Sequence, residues 1–599
     1  MKFKSYKIKG SLSFLLLASM LVSCKDFLEP YPNGNRTTED IWKYQDMVQG
    51  LVGQCYENMP RGYNDNEGVY LDGGTDDVVI TSTTNVITRM AVGALPTSQD
   101  PFRTYWDRDY RSIYLVNLFL TDRRGYNTRF LVDAHLDSLV KNRLQGEAFA
   151  LRAWFQWDLL QKFGGKSNDG QMLGFPIITK PVDIKEESNF ARNTYDECVS
   201  QIIADCDSAY KYLPIAHRDF LVSNVNDRAY AGGRYWGRMD GITTRAIKAM
   251  VYLTWASPRF NPGNDMTRWD LAAKNAKEVM DFKLKTDAVT NGFRADKAVN
   301  WFDPNFGGIV FSSRYNNAND AMERMFYPGG FQGTGSVGAT QELVDAFPMK
   351  NGYPITNPKS LYDPARPYDN RDPRFYATIF HNHAKAVKIN TATTMYTFEN
   401  WVNGKDAAGP ITNSRTNYHI KKMVFMGLNF SDNSINRQPH SKFNIRWEHM
   451  VFAFAEAANQ VEGPAGSRYG LSAKDAMAYI RSKNNTDGGK GFATDPYLAE
   501  VAAAGKVAFY EFIKSERRLE FCFEGQRFFD LRRWTTNLTE LNKPVHMARV
   551  TRNADGAFTY KLDEVVETRT YTSAYLPVPF DEMLRMSKLV QNEGWDAWK

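Results

Sequence analysis

Glu516-Arg517-Arg518-Leu519-Glu520-Phe521-Cys522-Phe523-Glu524-Gly525-Gln526-Arg527-Phe528-Phe529-Asp530-Leu531-Arg532-Arg533-Trp534 is the densest polar stretch of the chain. Nine of its 19 residues are charged, and large apolar side chains stand between them. An enzymatic reading makes Glu516 or Glu520 a general acid. The chemistry favours a semi-buried ion-pair lattice that fixes how a helix packs, because arginine forks pair bidentately with carboxylates. Outward from this stretch, apolar residues recur at helical spacing over 505–534, and the same period occupies 38–59, 102–122, 194–213, 241–257, 268–282, 446–461 and 472–484. Leu144, Ala148, Leu151, Phe155, Leu159 and Phe163 fall on one stripe of a further helix, which Gly164-Gly165 stops.

Several of these helices form alanine-dense pairs, 241–257 with 268–282 and 446–461 with 472–484. Small residues at facing positions let antiparallel helices approach closely, which is tetratricopeptide logic, although long insertions break any regular period. The expected fold is mainly α: about four irregular tetratricopeptide-like helix pairs with long irregular loops and a few short strands, one at 308–312. The intervening segments 60–100, 214–240, 284–339 and 350–445 are rich in Gly, Pro, Asn, Asp and aromatics. Loops of that length in a compact protein carry function, and their aromatic content argues against disorder.

The chain has 599 residues, 43% hydrophobic and 24% charged, which excludes the disordered and multi-span membrane classes. No apolar run approaches the roughly 18 residues of a spanning helix. Lys+Arg 74 against Asp+Glu 68 gives +6. Lys2, Lys4, Lys7 and Lys9 lie in an expected leader, and without them the balance is 70 against 68. So even a charge balance is no footprint for nucleic acid. The leader has a basic opening, MKFKSYKIKG, then the apolar LSFLLLASMLV, then Leu21-Val22-Ser23-Cys24. That order reads as a secretory signal over 1–23. Small and branched apolar residues running into a cysteine resemble the bacterial lipobox, with lipid added to Cys24. Several acyl chains, at about 0.8 kcal/mol per buried methylene, anchor stably. Cys55, Cys198, Cys206 and Cys522 are expected as buried free thiols.

Other motifs carry little chemistry. Gly333-Thr334-Gly335-Ser336-Val337-Gly338 fits G-x-G-x-x-G and precedes a helix expected over 340–347, but it lacks the preceding apolar strand and the following acid of a dinucleotide site. It is expected as a glycine loop in a binding face. His381-x-His383 has no third ligand nearby and reads as a solvated pair. Asp72, Asp76 and Asp77 lack EF-hand spacing, and are left to orient sugar hydroxyls or cap a helix. No cofactor, metal or catalytic residue is expected.

Taken together the motifs resemble the SusD/RagB family of Bacteroidetes outer-membrane lipoproteins. The 516–534 stretch looks like its C-terminal signature. Cys24-Lys25-Asp26-Phe27-Leu28-Glu29 resembles its mature N-terminus, and Gly146-Glu147-Ala148 through Phe163-Gly164-Gly165 resembles its long second helix. Thr340–Phe347, Asp372-Pro373-Arg374-Phe375 and Glu456-Ala457-Ala458-Asn459 resemble its central and late blocks, and Tyr575-Leu576-Pro577-Val578-Pro579 with Gln591-Asn592-Glu593-Gly594-Trp595 its closing segment. The departures are an insertion at 166–173 and Val578 where isoleucine is common.

The resemblance implies a lipid-anchored protein on the extracellular side of the outer membrane. It would capture oligosaccharides, or in some members peptides, for a SusC-like TonB-dependent transporter. Residues 24–339 and 340–599 would form two parts of one globular unit. A glycosidase and a helical-repeat scaffold without a small ligand are the competing classes. The matching motifs are scaffold motifs and assign no binding residue. Stacking platforms for sugar faces or peptide side chains must come from the loop segments. The candidates are Tyr63, Tyr70 and Asp72; Trp301, Phe302, Tyr315, Tyr327 and Phe331; and Tyr396 and Trp401. Trp154, Trp157, Trp255 and Trp447 sit on helical stripes and read as packing.

Overall fold

A computed structural model of the chain describes residues 38–60, 70–182, 189–290, 292–313, 318–387, 395–409, 413–427, 437–440, 442–483, 491–492 and 495–598. Contacts divide the chain into Met1–Gly50, which carries the short helix Thr38–Ile41, and Leu51–Lys599, which carries the helix pairs.

Within the second unit each long helix packs on the next. Helix α1 (Arg103–Leu120) lies on α2 (Ala134–Phe163), α2 on α3 (Tyr195–Tyr212), α3 on α4 (Gly241–Ala256), and α4 on α5 (Met266–Phe282). Their starts are written locally. Asp133, Asp240 and Asp265 accept backbone N–H groups at the N-termini of α2, α4 and α5, and Thr194 with Glu197 forms a capping box on α3. Each such cap contributes about 1 kcal/mol. Alanines 272, 273 and 276 of α5 are fully buried, as the close approach of paired helices requires. The chain just past α3 comes close to α2 at Gly146, where a Cβ would stand 2.5 Å from Leu213 Cγ. Helix α2 is buried well beyond the expected single stripe, with Arg143, Glu147 and Arg152 also inside. Buried partners pair their charges: Glu147 accepts from Arg143 at 3.0 Å and Asp205 from Arg152 at 2.6 Å.

Short helices follow, among them α6 (Gln341–Ala346), capped by Thr340, and α7 (Pro373–Thr378), capped by Asp372 with proline at its first turn. The second half repeats the pairing. Helix α8 (Trp447–Glu462) packs on α5, on α9 (Ala473–Arg481) and on α10 (Lys506–Phe521), and α11 (Gln526–Trp534) turns back from α10. The single helix expected over 505–534 is therefore two. Phe523 at φ 67° and Gly525 at φ 78° are both left-handed, which no helix interior tolerates.

The strands pair only in twos among the described residues. Strand β1 (Val78–Ile80) is antiparallel to β3 (Val337–Ala339), and β2 (Ile309–Ser312), where a strand was expected, to β4 (Phe443–Arg446). A long hairpin, β5 (Pro544–Arg552) with β6 (Phe558–Thr568), is not among the elements that helical periodicity identifies. Its signal is the alternation in these runs across the Asn553–Gly556 turn.

The lattice reading of 516–534 describes what this corner contains. Glu516 accepts from Arg481 at 2.7 Å and Arg374 at 3.0 Å, and Glu520 and Glu524 each accept from Arg446 at 2.8 Å. Arg517 and Arg533 share Asp530, and Arg533 also reaches Glu456 at 2.6 Å. The acidic cluster belongs to the same lattice. Asp77 pairs with Arg518 at 2.6 Å, Asp76 pairs with both nitrogens of Arg527 at 2.9 Å, and Asp72 accepts the Gly525 N–H at 2.9 Å. The four cysteines 55, 198, 206 and 522 are free and buried. Trp154, Trp157 and Trp447 are buried as expected of packing residues, while Trp255 is half-buried, its indole N–H donating to Asp196.

Candidate functional site

The loop before β2 carries Trp301 and Phe302, and β4 begins at Phe443, so the β2–β4 pairing brings these rings together. Trp301 stacks on Phe443, with centroids 5.6 Å apart and 14° between planes, and stays half-buried. Val299, Ile309 and Phe443 form the apolar cluster beneath it. Phe302 meets Phe425 edge-on at 5.6 Å and His440 at 5.4 Å.

Trp301 and Phe302, with Ala298 and Val299, form one wall of a cleft of about 380 Å³. The opposite wall is the segment 421–427, with Met423, Val424, Phe425 and Met426, while α7 supplies Arg374, Ala377 and Thr378. Leu519 and Glu520 of α10 and Lys483 close the floor. The Thr378 carbonyl accepts the backbone N–H groups of Lys421 at 2.8 Å and Lys422 at 3.2 Å, tying the segment to α7. The Lys422 ammonium donates to the carbonyls of Glu520 at 2.8 Å and Cys522 at 3.0 Å and to Glu524 at 2.8 Å. It also lies 5.3 Å from the centre of the Trp301 ring. These contacts hold Met423 at φ 66°, a conformation that a non-glycine residue keeps only when its surroundings fix it. Phe425 is gripped on both sides of its backbone: its N–H donates to buried Glu323 at 2.7 Å, and its carbonyl accepts from the Tyr327 hydroxyl at 2.7 Å. The result is an aromatic shelf beside an apolar wall, over a floor of paired charges.

The expected site residues scatter. Trp301 and Phe302 share this cleft. Tyr327 lies behind it, fully buried, and supports Phe425 instead of facing outward. Phe331 is buried against Phe398 at 5.3 Å and Tyr396 at 4.3 Å, because the chain returns over it at 395–398. Tyr396 is half-buried and donates to Asp406 at 2.8 Å. Tyr70 and Asp72 are interior residues. Asp72 serves the Gly525 turn, and burial pushes its carboxyl up to about 8. Trp401 sits against the hairpin, 5.4 Å from Phe558 and bridged to Val550, and does not line the cleft. Tyr63, Tyr315 and Cys24 lie outside the described residues.

Sequence reasoning missed Arg374, Lys421, Lys422 and the run Met423–Met426. The one signal was an apolar tetrad, MVFM, inside a loop segment. Residues 333–336 of the glycine motif form a loop, as expected, but none of them lines this cleft. Strand β3 takes up its last two positions, and Gly338 is buried where a Cβ would strike Ser414 Oγ. Nor is His381 part of a solvated pair. It packs between Tyr368 at 4.5 Å and Phe375 at 5.2 Å, and burial holds it at about 4. No group of three or more His, Cys, Asp or Glu side chains suited to a metal occurs among the described residues.

Two family models match the chain, one described as "SusD family" over residues 298–595 and one as "Starch-binding associating with outer membrane" over 26–232. SusD-like protein P38 of Formosa agariphila is 22% identical over 551 residues, covering 90% of this chain and 93% of that protein. A crystal structure of a SusD-like protein from Bacteroides fragilis superposes with a TM-score of 0.67 at 23% identity, over 93% of this chain and 98% of the other. A SusD-like carbohydrate-binding protein, also from Bacteroides fragilis, gives 0.65 at 16%, over 92% and 99%.

Proposed function

This chain belongs to the SusD/RagB family, and from that premise we propose that it is a receptor without catalytic turnover. It binds an oligosaccharide in the Trp301 cleft and hands it to a SusC-like TonB-dependent transporter. It does so on the extracellular face of the outer membrane, anchored through lipid on Cys24. The carbohydrate-binding relative and the starch-binding, outer-membrane description of the N-terminal match support the ligand class and the location. The observation that carries the site is Trp301, a half-buried indole held flat on Phe443 at the edge of a preformed cleft. A ring fixed in this way offers an apolar face to a sugar at little entropic cost. The test is a titration of an oligosaccharide panel against the wild type and Trp301→Ala. Binding by the wild type, with at least about a tenfold loss in the variant, supports the reading. Equal affinity, or cleavage of the ligand, overturns it.

One observation favours a second reading, a peptide ligand. The polar groups Arg374, Lys422 and Glu520 that line the cleft are engaged in ion pairs, and Met423, Val424, Met426 and Leu519 supply aliphatic wall. Sugar hydroxyls call for planar polar partners, whereas an apolar side chain fits this wall as it stands. A peptide library in the same titration separates the two.

A further inference from the structure

The two walls of the Trp301 cleft meet where Phe302 touches Phe425, and a buried pair that does not itself line the cleft stands behind that junction. The pair is Glu323, on the short helix Ala321–Phe326, and His440. Antiparallel pairing of Gln438 with Asn319 and of Pro439 with Ala318 brings the two together. His440 meets the Phe302 ring edge-on at 5.4 Å, and Glu323 Oε1 accepts the Phe425 N–H at 2.7 Å. One pair therefore contacts a ring-bearing residue of each wall.

The bond between them needs a proton that a neutral histidine does not have to give. Nδ1 lies 2.9 Å from the Gln438 carbonyl oxygen, and Nε2 lies 2.9 Å from Glu323 Oε1. A carbonyl and a carboxylate only accept, whereas the neutral ring carries a single N–H. Both contacts are satisfied together only when a second proton sits between Nε2 and Oε1. His440 is also the one cationic partner of Glu323 among the described residues. Glu323 is fully buried, and its Oε2 has no hydrogen-bond partner among those residues. Loss of the shared proton therefore sets lone pair against lone pair and leaves a buried carboxylate without counter-charge directly behind Phe425. The other charges on the surrounding elements are engaged elsewhere. Asp320 accepts from Arg324 at 2.9 Å and Arg437 at 3.1 Å, and Asp303 accepts the Asn305 N–H at 2.8 Å. Lys421 donates to the Tyr376 carbonyl and Lys422 to Glu524, both at 2.8 Å. Tyr327, whose hydroxyl bonds the Phe425 carbonyl, is kept protonated by burial and by Glu323 itself. Along the chain, Lys442 follows His440 by two residues.

Resting on the reading of this cleft as the ligand site, we propose that His440 and Glu323 are its positioning residues. The proton they share clamps Phe302 and Phe425 in the arrangement that receives ligand, so binding weakens as pH rises and that proton leaves. Amide hydrogen exchange of the ligand-free wild type and Glu323→Gln is read residue by residue near pH 5.5 and near pH 9.5, on either side of the ordinary histidine value and corrected for intrinsic rates. In the wild type the Phe425 amide should lose at least about fivefold of its protection at the higher pH, while the Lys421 and Lys422 amides, bonded to the Thr378 carbonyl, keep theirs. Glu323→Gln should show no pH response, because a carboxamide can accept from Phe425 and donate to Nε2 of the neutral ring. Wild-type protection unchanged by pH, or the same loss in Glu323→Gln, overturns the proposal. Should Glu323→Gln fail to fold, His440→Phe, which keeps a ring against Phe302 with no proton to lose, should be equally insensitive to pH. Maltoheptaose is then titrated at both pH values, and the wild type should bind it at least about fivefold more weakly at the higher one, with no such change in Glu323→Gln. Equal wild-type affinity at both also overturns the proposal. No binding at either pH counts against a starch-type ligand and not against the clamp, which the exchange then decides.

Discussion

The helical corner over Glu516–Trp534 and the cleft under Trp301 are built from the same materials, guanidinium groups, carboxylates and aromatic rings, and use them in opposite ways. In the corner, Glu516, Arg517 and Arg533 are buried and bonded to their partners at 2.6–3.0 Å. In the cleft, Trp301, Phe302 and Phe425 are only half-buried, held by ring contacts rather than by ion pairs. The two regions touch at Glu520 and Lys422, where the lattice becomes the floor of the cleft. The contrast is between charges consumed in holding the fold and half-buried rings that line a cleft.

The largest expected effect tests the first half of that contrast. Glu456 is fully buried and accepts from both Arg533 nitrogens and from the Trp534 indole at 2.6–2.8 Å. Glu456→Ala strands a buried guanidinium and should cost about 3–5 kcal/mol in denaturant unfolding. A loss below about 1 kcal/mol would mean that the lattice is solvated and the contrast false. Next comes Trp301→Ala, expected to remove about 2 kcal/mol of ligand affinity. Its unfolding midpoint should move far less than that of Glu456→Ala.

A smaller effect is expected with pH. His381 and His419 are both held at about 4 by burial, below the ordinary 6.5. Both stay neutral in the fold and protonate on unfolding. Their stabilisation is complete above about 6.5 and is lost as pH falls toward 4. His381→Phe, placed among rings, should flatten this acid limb of the stability profile. An unchanged slope would mean that the ring is solvated. The smallest effect is Trp401→Ala. Its ring leans on the hairpin, so affinity should change by less than about twofold. A loss equal to that of Trp301→Ala would extend the site to the hairpin.

These regions also differ in how legible they were. The helix pairs and the lattice could be read because their determinants are local: alanines at helical spacing, caps one residue before each helix, and charges four apart on one turn. Even there the break at Phe523–Gly525 went unread, since only the fold shows Asp72 taking up the Gly525 N–H. The cleft is assembled from 298–302, 374–378, 421–427, Lys483 and 519–520, which no spacing connects. Tyr327 and Phe331 misled because aromatic loop residues look alike until the chain closes over them. Trp301 and Phe302, singled out by residue type, do line the cleft, whereas Phe425 was not singled out, since its place depends on Glu323 and Tyr327 gripping its backbone.

The central claim is that ligand rests on the Trp301 shelf. The most direct measurement is calorimetric titration of one panel of oligosaccharides and peptides into the wild type, Trp301→Ala and Trp401→Ala, each shown to be folded by its melting curve. The account predicts a ligand that binds the wild type and Trp401→Ala alike and Trp301→Ala at least about tenfold more weakly. Undiminished binding by folded Trp301→Ala would contradict it.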